Sequence, residues 1–226
     1  MEMLAPLIFL ALLATAGFLF YKKATLIKKT IFLGKSEIQY DQPGRRWKQV
    51  LLLALGQKKM FKNPLVAFLH LIIYAGFIII NIEVLEIIID GLFGTHRVFS
   101  FVGALYGFLI GSFEILALLV FVAVIIFWIR RNILKLQRFW KSEMTSWPKN
   151  DANYILYFEM VLMSLFLLMN ATDKQLQILG AEHYIKAGSF PISSFLLPLF
   201  ENLSQSSLII LERSAWWLHI TGIFIF

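Results

Sequence analysis

Long apolar runs separated by charged stretches dominate this chain. Crossing a hydrocarbon core of about 30 Å takes roughly 20 mostly apolar residues in a helix, because backbone groups in lipid must be hydrogen-bonded within their own segment. Five stretches meet or nearly meet this requirement: about residues 4–21, 64–89, 99–129, 154–171 and 208–226. The pattern therefore predicts an all-α fold, a polytopic membrane helical bundle of about five transmembrane helices in a single domain.

The basic residues are distributed unevenly between the apolar runs. Seventeen of the 21 Lys and Arg lie in two segments, residues 22–62 and 130–149. Cytoplasmic loops of membrane proteins carry such an excess of Lys and Arg. We therefore expect both segments on the cytoplasmic side, the N-terminus outside, and residues 172–207 in an outer loop. This topology suits a multi-pass protein of the bacterial cytoplasmic (inner) membrane.

The net charge of +7 could by itself suggest a nucleic-acid partner. That interpretation needs basic residues clustered on a soluble binding face. Here the cations cluster between membrane spans, so we expect no nucleic acid.

The first apolar run resembles a signal peptide in its position but not in its flanks. A cleaved signal carries its basic residues before the apolar run. Glu2 precedes this run, and Lys22, Lys23, Lys28 and Lys29 follow it. We therefore favour an uncleaved anchor over a cleaved signal.

The basic loop of residues 22–63 contains an amphipathic stretch between Arg45 and Phe61. Trp47, Leu51 and Leu55 lie at helical spacing and are flanked by cations. Such a pattern is typical of a helix lying in the membrane interface, and a charged connector explains it equally well.

The outer loop contains an apolar stretch, Ser189 to Leu203, that is broken by Pro191 and Pro198. It is too interrupted to span the membrane. A re-entrant or surface-lying segment is the better interpretation.

Cysteine is absent from the 226 residues, of which 59% are hydrophobic. The chain therefore ligates no iron–sulfur cluster through thiolates and forms no disulfide. A redox centre would have to use histidine, methionine or a bound organic cofactor.

Four histidines are the candidate ligands. His70 lies in the second apolar run and His219 in the fifth. Haem b takes two imidazoles from different helices at similar depth, which makes this pair candidate axial ligands of the haem iron. Each could instead form a hydrogen bond between helices. His96 and His183 fall in outer loops, where solvated side chains are usual, and are a second candidate metal site only.

Small residues lie near both membrane histidines and along the third run. Gly76 and Gly222 could let a macrocycle pack closely against the helices. Gly103, Gly107 and Gly111 form a stripe at intervals of four residues. For this stripe we favour tight helix packing over a cofactor wall.

Carboxylates inside the spans are candidate proton carriers, because ionisable groups in a bilayer are costly and quinone chemistry moves protons with electrons. Glu114 lies near the middle of the third run and Glu159 in the fourth. Three acids at the outer end of the second run indicate instead a charged interfacial end, paired with Arg97: Glu83, Glu86 and Asp90.

Three motifs give the chain a resemblance to a known family. They are NPLVAFLHLIIYAGFIIINIEVLEIIIDGLFGTHRVFSF from Asn63, EMTSWPKNDAN from Glu143 and ERSAWWLHITGI from Glu212. With the five-helix layout, they resemble the membrane module of the heterodisulfide-reductase-related (Fe–S)-binding proteins. That module is in turn similar to the haem-b gamma subunit of respiratory nitrate reductase.

The resemblance implies a haem-b electron-transfer subunit that exchanges electrons between membrane quinone and a cytoplasmic iron–sulfur protein or domain. His70 and His219 match the cytoplasm-proximal ligand pair of the family. Ile80 stands where the second histidine of that helix is expected, so one haem is favoured over two. Chains of this family continue into a cysteine-bearing domain, which leads us to expect a fragment or a separate iron–sulfur subunit. The alternatives are a cofactor-free transporter and a membrane anchor or scaffold for a soluble partner.

Overall fold

The computed structural model describes residues 4–34, 41–141 and 147–225, and within these ranges it is helical with no strand. The α-helices are α1 (Leu4–Ile31), α2 (Pro43–Gln49), α3 (Pro64–Phe93), α4 (Ala104–Asn132), α5 (Trp147–Leu179) and α6 (Gln205–Ile225). All but α2 contain a window long and apolar enough to cross a membrane. The predicted all-helical, multi-pass fold is therefore confirmed.

Two helices are each at least ten residues longer than the hydropathy pattern predicts. The first continues ten residues beyond residue 21 to Ile31, and α5 runs from Trp147 to Leu179 instead of from 154 to 171. Hydropathy marks only the part of a helix that suits lipid, whereas backbone hydrogen bonding continues into the polar ends. The predicted outer loop therefore begins after Leu179 and not at residue 172.

Some of the predictions concern residues 1–3, 35–40, 142–146 and 226, which lie outside the described residues. They include Glu2 of the first flank, part of each basic segment, the start of the EMTSWPKNDAN motif and the last residue of the fifth span.

The described chain forms two compact units. The smaller runs from residue 11 to 71, and the larger comprises the described residues up to Leu10 and those from Ile72 onward. In the smaller unit α2 is followed by a π-helical turn, Val50–Leu55, and a 3-10 turn, Lys58–Lys62. Trp47 and Leu51 are exposed along it. The stretch is thus helical, which agrees with one of its two interpretations, and its position in the membrane interface stays a prediction.

Packing of α4, α5 and α6 forms the core of the larger unit. Ala117, Phe166 and Ile220 are fully or almost fully buried there. A Cβ added to Gly222 of α6 would come within 2.7 Å of Leu162 Cδ2 on α5, so glycine lets these helices approach closely.

An aromatic cluster ties the start of α1 to this core. Phe9 is fully buried, and its ring centroid lies 5.4 Å from that of Trp216, with Trp217 and Phe224 each at 6.1 Å. A Cβ added to Gly91 near the end of α3 would lie 2.8 Å from the Phe9 ring. The first turns of α1 therefore have one well-defined position in this unit.

The outer segment folds into a 3-10 helix, Ser193–Leu199, that packs against α4 and α5. A Cβ at Gly111 of α4 would meet Ser189 and Pro191 at 3.6–3.7 Å, and one at Gly107 would meet Ser189 at 4.0 Å. The glycine stripe of α4 therefore faces this broken segment at two of its positions, where we had expected another helix.

Candidate functional site

A cavity of about 890 Å³ lies in the larger unit, at the end of the bundle predicted to face outside. The start of α1, the last turns of α3, the turn that follows them and parts of α5 and α6 line it. Its apolar wall includes Leu7, Leu10, Trp216 and Trp217. Its polar residues are Glu83, Glu86, Asp90, His96, Arg97, Asp173, His183, Glu212 and Arg213. This volume is within the range of about 300–1,000 Å³ that small-molecule sites occupy.

A buried ion pair between Arg97 and Asp173 forms one wall of the cavity. The Arg97 Nε and Nη2 atoms lie 2.6 Å and 2.5 Å from Asp173 Oδ2. Arg97 is 6% exposed and Asp173 is 2% exposed. Burial alone lowers the pKa of the Arg97 guanidinium, but the Asp173 carboxylate opposes this and the pKa rises above its usual value. The pair is therefore fully charged.

The predicted partner of Arg97 was the acidic end of α3, and the structure corrects this. Asp90 Oδ2 accepts a hydrogen bond from the backbone N–H of Arg97 at 2.7 Å, whereas the guanidinium turns to Asp173. Glu86 Oε1 accepts from the backbone N–H of Phe99 at 2.8 Å. Two of the three acids thus hold the chain after α3 through its backbone.

Tyr106 of α4 connects Glu86, which holds the backbone of Phe99, to the ion pair of Arg97 and Asp173. Its hydroxyl donates to Glu86 Oε2 at 2.7 Å and accepts from Arg97 Nη1 at 3.1 Å. Asn170 Oδ1 accepts from Arg97 Nη2 at 3.0 Å. The guanidinium is therefore bonded on all sides by groups from α4 and α5.

His96 extends the network toward the outer loop. Its Nδ1 accepts the backbone N–H of Ile185 at 3.3 Å and therefore carries no proton. The ring proton is on Nε2, which donates to Asp173 Oδ1 at 3.2 Å. Both ring nitrogens are thus occupied, and in this structure His96 offers no lone pair to a metal.

His183 lies beside His96, with ring centroids 5.7 Å apart. Burial, then the neighbouring His96, lowers the pKa of His183 from its usual value. The second site that we considered at these two histidines would need both imidazoles as ligands, and the hydrogen bonds of His96 speak against it. Among the described residues, no group of three or more His, Asp or Glu side chains could hold a metal ion.

Glu212 and Arg213 of α6 complete the polar wall. Glu212 accepts from Arg213 Nε and Nη2 at 2.5 Å and 2.6 Å, and from the Tyr184 hydroxyl at 2.8 Å. Burial, together with Glu212, raises the pKa of Tyr184 above its ordinary value, so this phenol remains a donor. The side chains of Glu212 and Tyr184 thereby join α6 to the outer loop.

Glu83 is a buried acid of the cavity. Its side chain lies two turns before Asp90 on α3 and is 3% exposed. Its Oε2 atom is buried and has no hydrogen-bond partner among the described residues. Glu83 therefore differs from the other four cavity acids, whose oxygens accept hydrogen bonds.

Glu114, a predicted proton carrier, has a structural role in this fold, and its role in proton transfer stays a prediction. Its Oε2 accepts the backbone N–H groups of Ile192 at 2.9 Å and Ser193 at 3.1 Å, while Oε1 is buried without a partner among the described residues. Glu114 lies ten residues, or about 15 Å, along α4 from its outer end. The outer segment therefore lies deep alongside α4, as expected of a re-entrant segment. Glu159 is half-buried on α5 and lies away from the cavity.

His219 is buried against α5 in a geometry that suits a metal ligand. Its exposure is 2%, and Nδ1 lies 3.0 Å from the backbone oxygen of Leu162. A carbonyl oxygen only accepts, so Nδ1 carries the proton, and Nε2 is left with the lone pair of the neutral ring. Metal-bound histidines are commonly oriented by such a bond. Nε2 is therefore the ring nitrogen of His219 that could bind a metal, and a role as a haem ligand stays a prediction.

The other haem candidates occupy different surroundings. His70 belongs to the smaller unit and is exposed on α3. A Cβ at Gly76 would lie 2.5 Å from Val120 Cγ2 of α4, and Gly222 faces Leu162 as described above. In this structure both glycines serve helix packing, and their contact with a haem stays a prediction.

Sequence reasoning missed Asp173, Asn170 and Tyr106, which surround Arg97. A signal was present, because Arg97 is a lone cation next to a membrane span and requires an acid at the same level. Asp173 directly follows the fourth apolar run and is the natural partner once α5 is extended by two turns.

Comparison with curated proteins gives a distant relative that covers nearly the whole chain. The chain is 28% identical over 215 residues to the probable iron-sulfur-binding oxidoreductase FadF of Bacillus subtilis (strain 168). The match covers 95% of this chain but only 28% of the relative, so the chain corresponds to a minor part of that protein's length. No family model and no solved structure matches the chain.

Proposed function

We propose that this chain is a haem-b membrane electron-transfer module that exchanges electrons between membrane quinone and an iron–sulfur protein or domain. The observation that carries the proposal is similarity over 95% of the chain to a protein named as an iron–sulfur-binding oxidoreductase. This chain has no cysteine, so its iron–sulfur clusters would be held outside residues 1–226. The similarity supports a redox role, and the membrane spans supply its location.

His219 and His70 would hold the haem iron. The bond from His219 Nδ1 to the Leu162 carbonyl would fix the ring orientation and make Nε2 the better electron donor to iron. Haem b bound there would supply a one-electron carrier within the apolar interior. The chain's own contribution is to orient the imidazole and to exclude water from it.

Carboxyl groups of the membrane spans would take up and release the protons that accompany quinone chemistry. Glu114 Oε1 is buried and without a partner among the described residues, while Oε2 holds the outer segment. Glu159 is half-buried on the next helix along the chain. Both remain candidates for proton transfer.

An optical spectrum of the purified full chain tests the proposal. We expect a reducible haem b band that is lost in His219→Ala and in His70→Ala and retained in His96→Ala and His183→Ala. A preparation without a chromophore, or a band that survives loss of both His70 and His219, would refute it.

The polar cavity favours a second candidate, a cofactor-free transporter. The size of the cavity and the acidic residues that line it suit a small polar solute. This function predicts no chromophore and solute-dependent protection of the cavity acids from carbodiimide. The spectrum therefore separates the two candidates.

A further inference from the structure

The acids of the cavity differ in how many of their oxygens are already engaged. Asp90, Asp173 and Glu212 accept hydrogen bonds or ion pairs on both carboxylate oxygens. Glu86 likewise accepts from Phe99 N–H and the Tyr106 hydroxyl. These four carboxylates hold the fold together and have little freedom to take a new hydrogen-bond partner without breaking an existing bond.

Glu83 has that freedom. It lines the same cavity, is 3% exposed, and its buried Oε2 has no partner among the described residues. A buried polar atom without a partner is unusual and normally has a water or a functional reason beside it. Glu83 is one of the residues that line the cavity, and the polar groups of the cavity wall are sufficient to hold water.

The cavity also reaches the protein surface. Its lining includes the exposed residues Gly94, Thr95 and His183 as well as the buried Glu83. Water that enters the cavity would therefore connect a carboxyl of the membrane-spanning part of α3 with the side predicted to face outside. Proton transfer along water needs only donors and acceptors in sequence, which the polar wall supplies.

The charges around Glu83 come from every neighbouring element. Glu86 lies on the same helix, Arg97 in the turn after it, Glu114 on α4 and Asp173 on α5. Arg97 is ion-paired with Asp173, and its charge also acts on Glu83. Loss of a proton from Glu83 would change the charge of this group without breaking a hydrogen bond that the structure shows.

We propose that Glu83 exchanges protons with the outer aqueous phase through the cavity and is the proton-transfer group on that side of the membrane. In the exchange the carboxyl O–H bond breaks, the proton passes to a cavity water, and the carboxylate later takes a proton back from that water. The role of this exchange in turnover rests on the function proposed above. In that function Glu83 would take up or release the protons that accompany quinone chemistry.

Infrared spectroscopy of the full chain in proteoliposomes tests the exchange directly. We expect a protonated-carboxyl C=O band that shifts when the outer medium is changed from H₂O to D₂O. The band should disappear in Glu83→Gln, move to a new frequency in Glu83→Asp, and stay unchanged in Glu201→Gln, which alters an exposed acid of the outer loop. If Glu83→Gln fails to fold, the change of band frequency in Glu83→Asp still tests whether the band belongs to Glu83.

Sidedness is measured in right-side-out vesicles, using the wild-type minus Glu83→Gln difference spectrum. We expect the band to follow a change in external pH. A band that survives in Glu83→Gln, that does not shift in D₂O, or that responds to internal pH alone would overturn the proposal. These measurements need neither haem nor quinone, so a failure here is distinct from a missing haem spectrum.

Discussion

The buried pair of Arg97 and Asp173 makes the stability of the outer end dependent on charge balance. Asp173→Asn preserves the shape of the side chain but removes its negative charge. The Arg97 guanidinium is 6% exposed and would then be left in the interior without its counter-charge. The hydrogen bonds from His96 Nε2 and Gln177 Nε2 to Asp173 Oδ1 would lose their ionic character as well.

Removal of one partner of a buried ion pair typically costs about 3–5 kcal/mol, because the remaining charge stays buried without compensation. Two contacts from Arg97 to one carboxylate oxygen, at 2.5 Å and 2.6 Å, place this pair at the stronger end of such interactions. Replacement of both partners by apolar residues is often close to neutral. We therefore expect Asp173→Asn and Arg97→Met each to lose about 3–5 kcal/mol and the double variant Arg97→Met/Asp173→Leu to recover much of that loss.

The free energy of unfolding in detergent micelles, followed by denaturant titration with intrinsic Trp fluorescence, measures these changes. Asp151→Asn serves as the matched control, since Asp151 is an exposed acid on the same helix. It should stay within about 0.5 kcal/mol of wild type, as surface substitutions usually do. A loss for Asp173→Asn no larger than that of the control, or a double variant less stable than either single variant, would refute the reasoning.

Three further variants test other parts of the larger unit. Gly91→Ala should cost about 1–3 kcal/mol in thermal stability assays, because the new Cβ would lie 2.8 Å from the Phe9 ring, which is fixed by its aromatic neighbours; an unchanged melting temperature would contradict this contact. Glu114→Ala leaves two backbone N–H groups of the outer segment without an acceptor, which should lower the free energy of unfolding by about 1–3 kcal/mol for each group. Proteolysis near Ile192 should therefore increase, and cleavage rates equal to those of the wild type would contradict this expectation. The pKa of His183 is lower in the folded chain than in the unfolded chain, so the unfolded chain takes up the proton at a higher pH, and stability should fall as the pH drops below about 6.5. His183→Gln should therefore make the melting temperature depend less on pH between pH 7 and pH 5.

The membrane architecture follows from the sequence because lipid imposes one rule on every span. A span must be about 20 apolar residues long and hydrogen-bonded within itself, so α3 and α4 are visible as apolar runs. Pro64 marks the start of α3 in the sequence and is the first residue of that helix in the structure. Both facts depend only on residues close together in the chain.

The polar site depends on contacts between residues that are far apart in the chain, and the local sequence pattern does not predict such contacts. Arg97 and Asp173 are separated by 76 positions, and His96 and Ile185 by 89. Asp173 also sits in a polar stretch that suggests a loop, yet α5 continues through it because its polar groups are buried against Arg97 and the outer loop. Hydropathy underestimates a helix wherever its end is stabilised by such a buried network.

The sequence does single out Glu114 and His219 as unusual, since charged or titratable groups are rare in apolar runs. It gives no account of what holds them. The bond from His219 to the Leu162 carbonyl and the bonds from Glu114 to the outer segment both join helices to distant backbone. These partners are set by tertiary packing alone.

The bond between Glu114 and Ile192 has a consequence for synthesis of the protein at the ribosome. The acceptor precedes the donor by 78 residues. At a synthesis rate of about 5–20 residues per second, roughly 4–16 s separate the two. During that interval α4 enters the bilayer with a carboxyl whose final donors do not yet exist. Insertion of α4 is therefore a step at which the nascent chain needs water or an insertase to shelter a polar group, and Glu114→Gln should lessen that need.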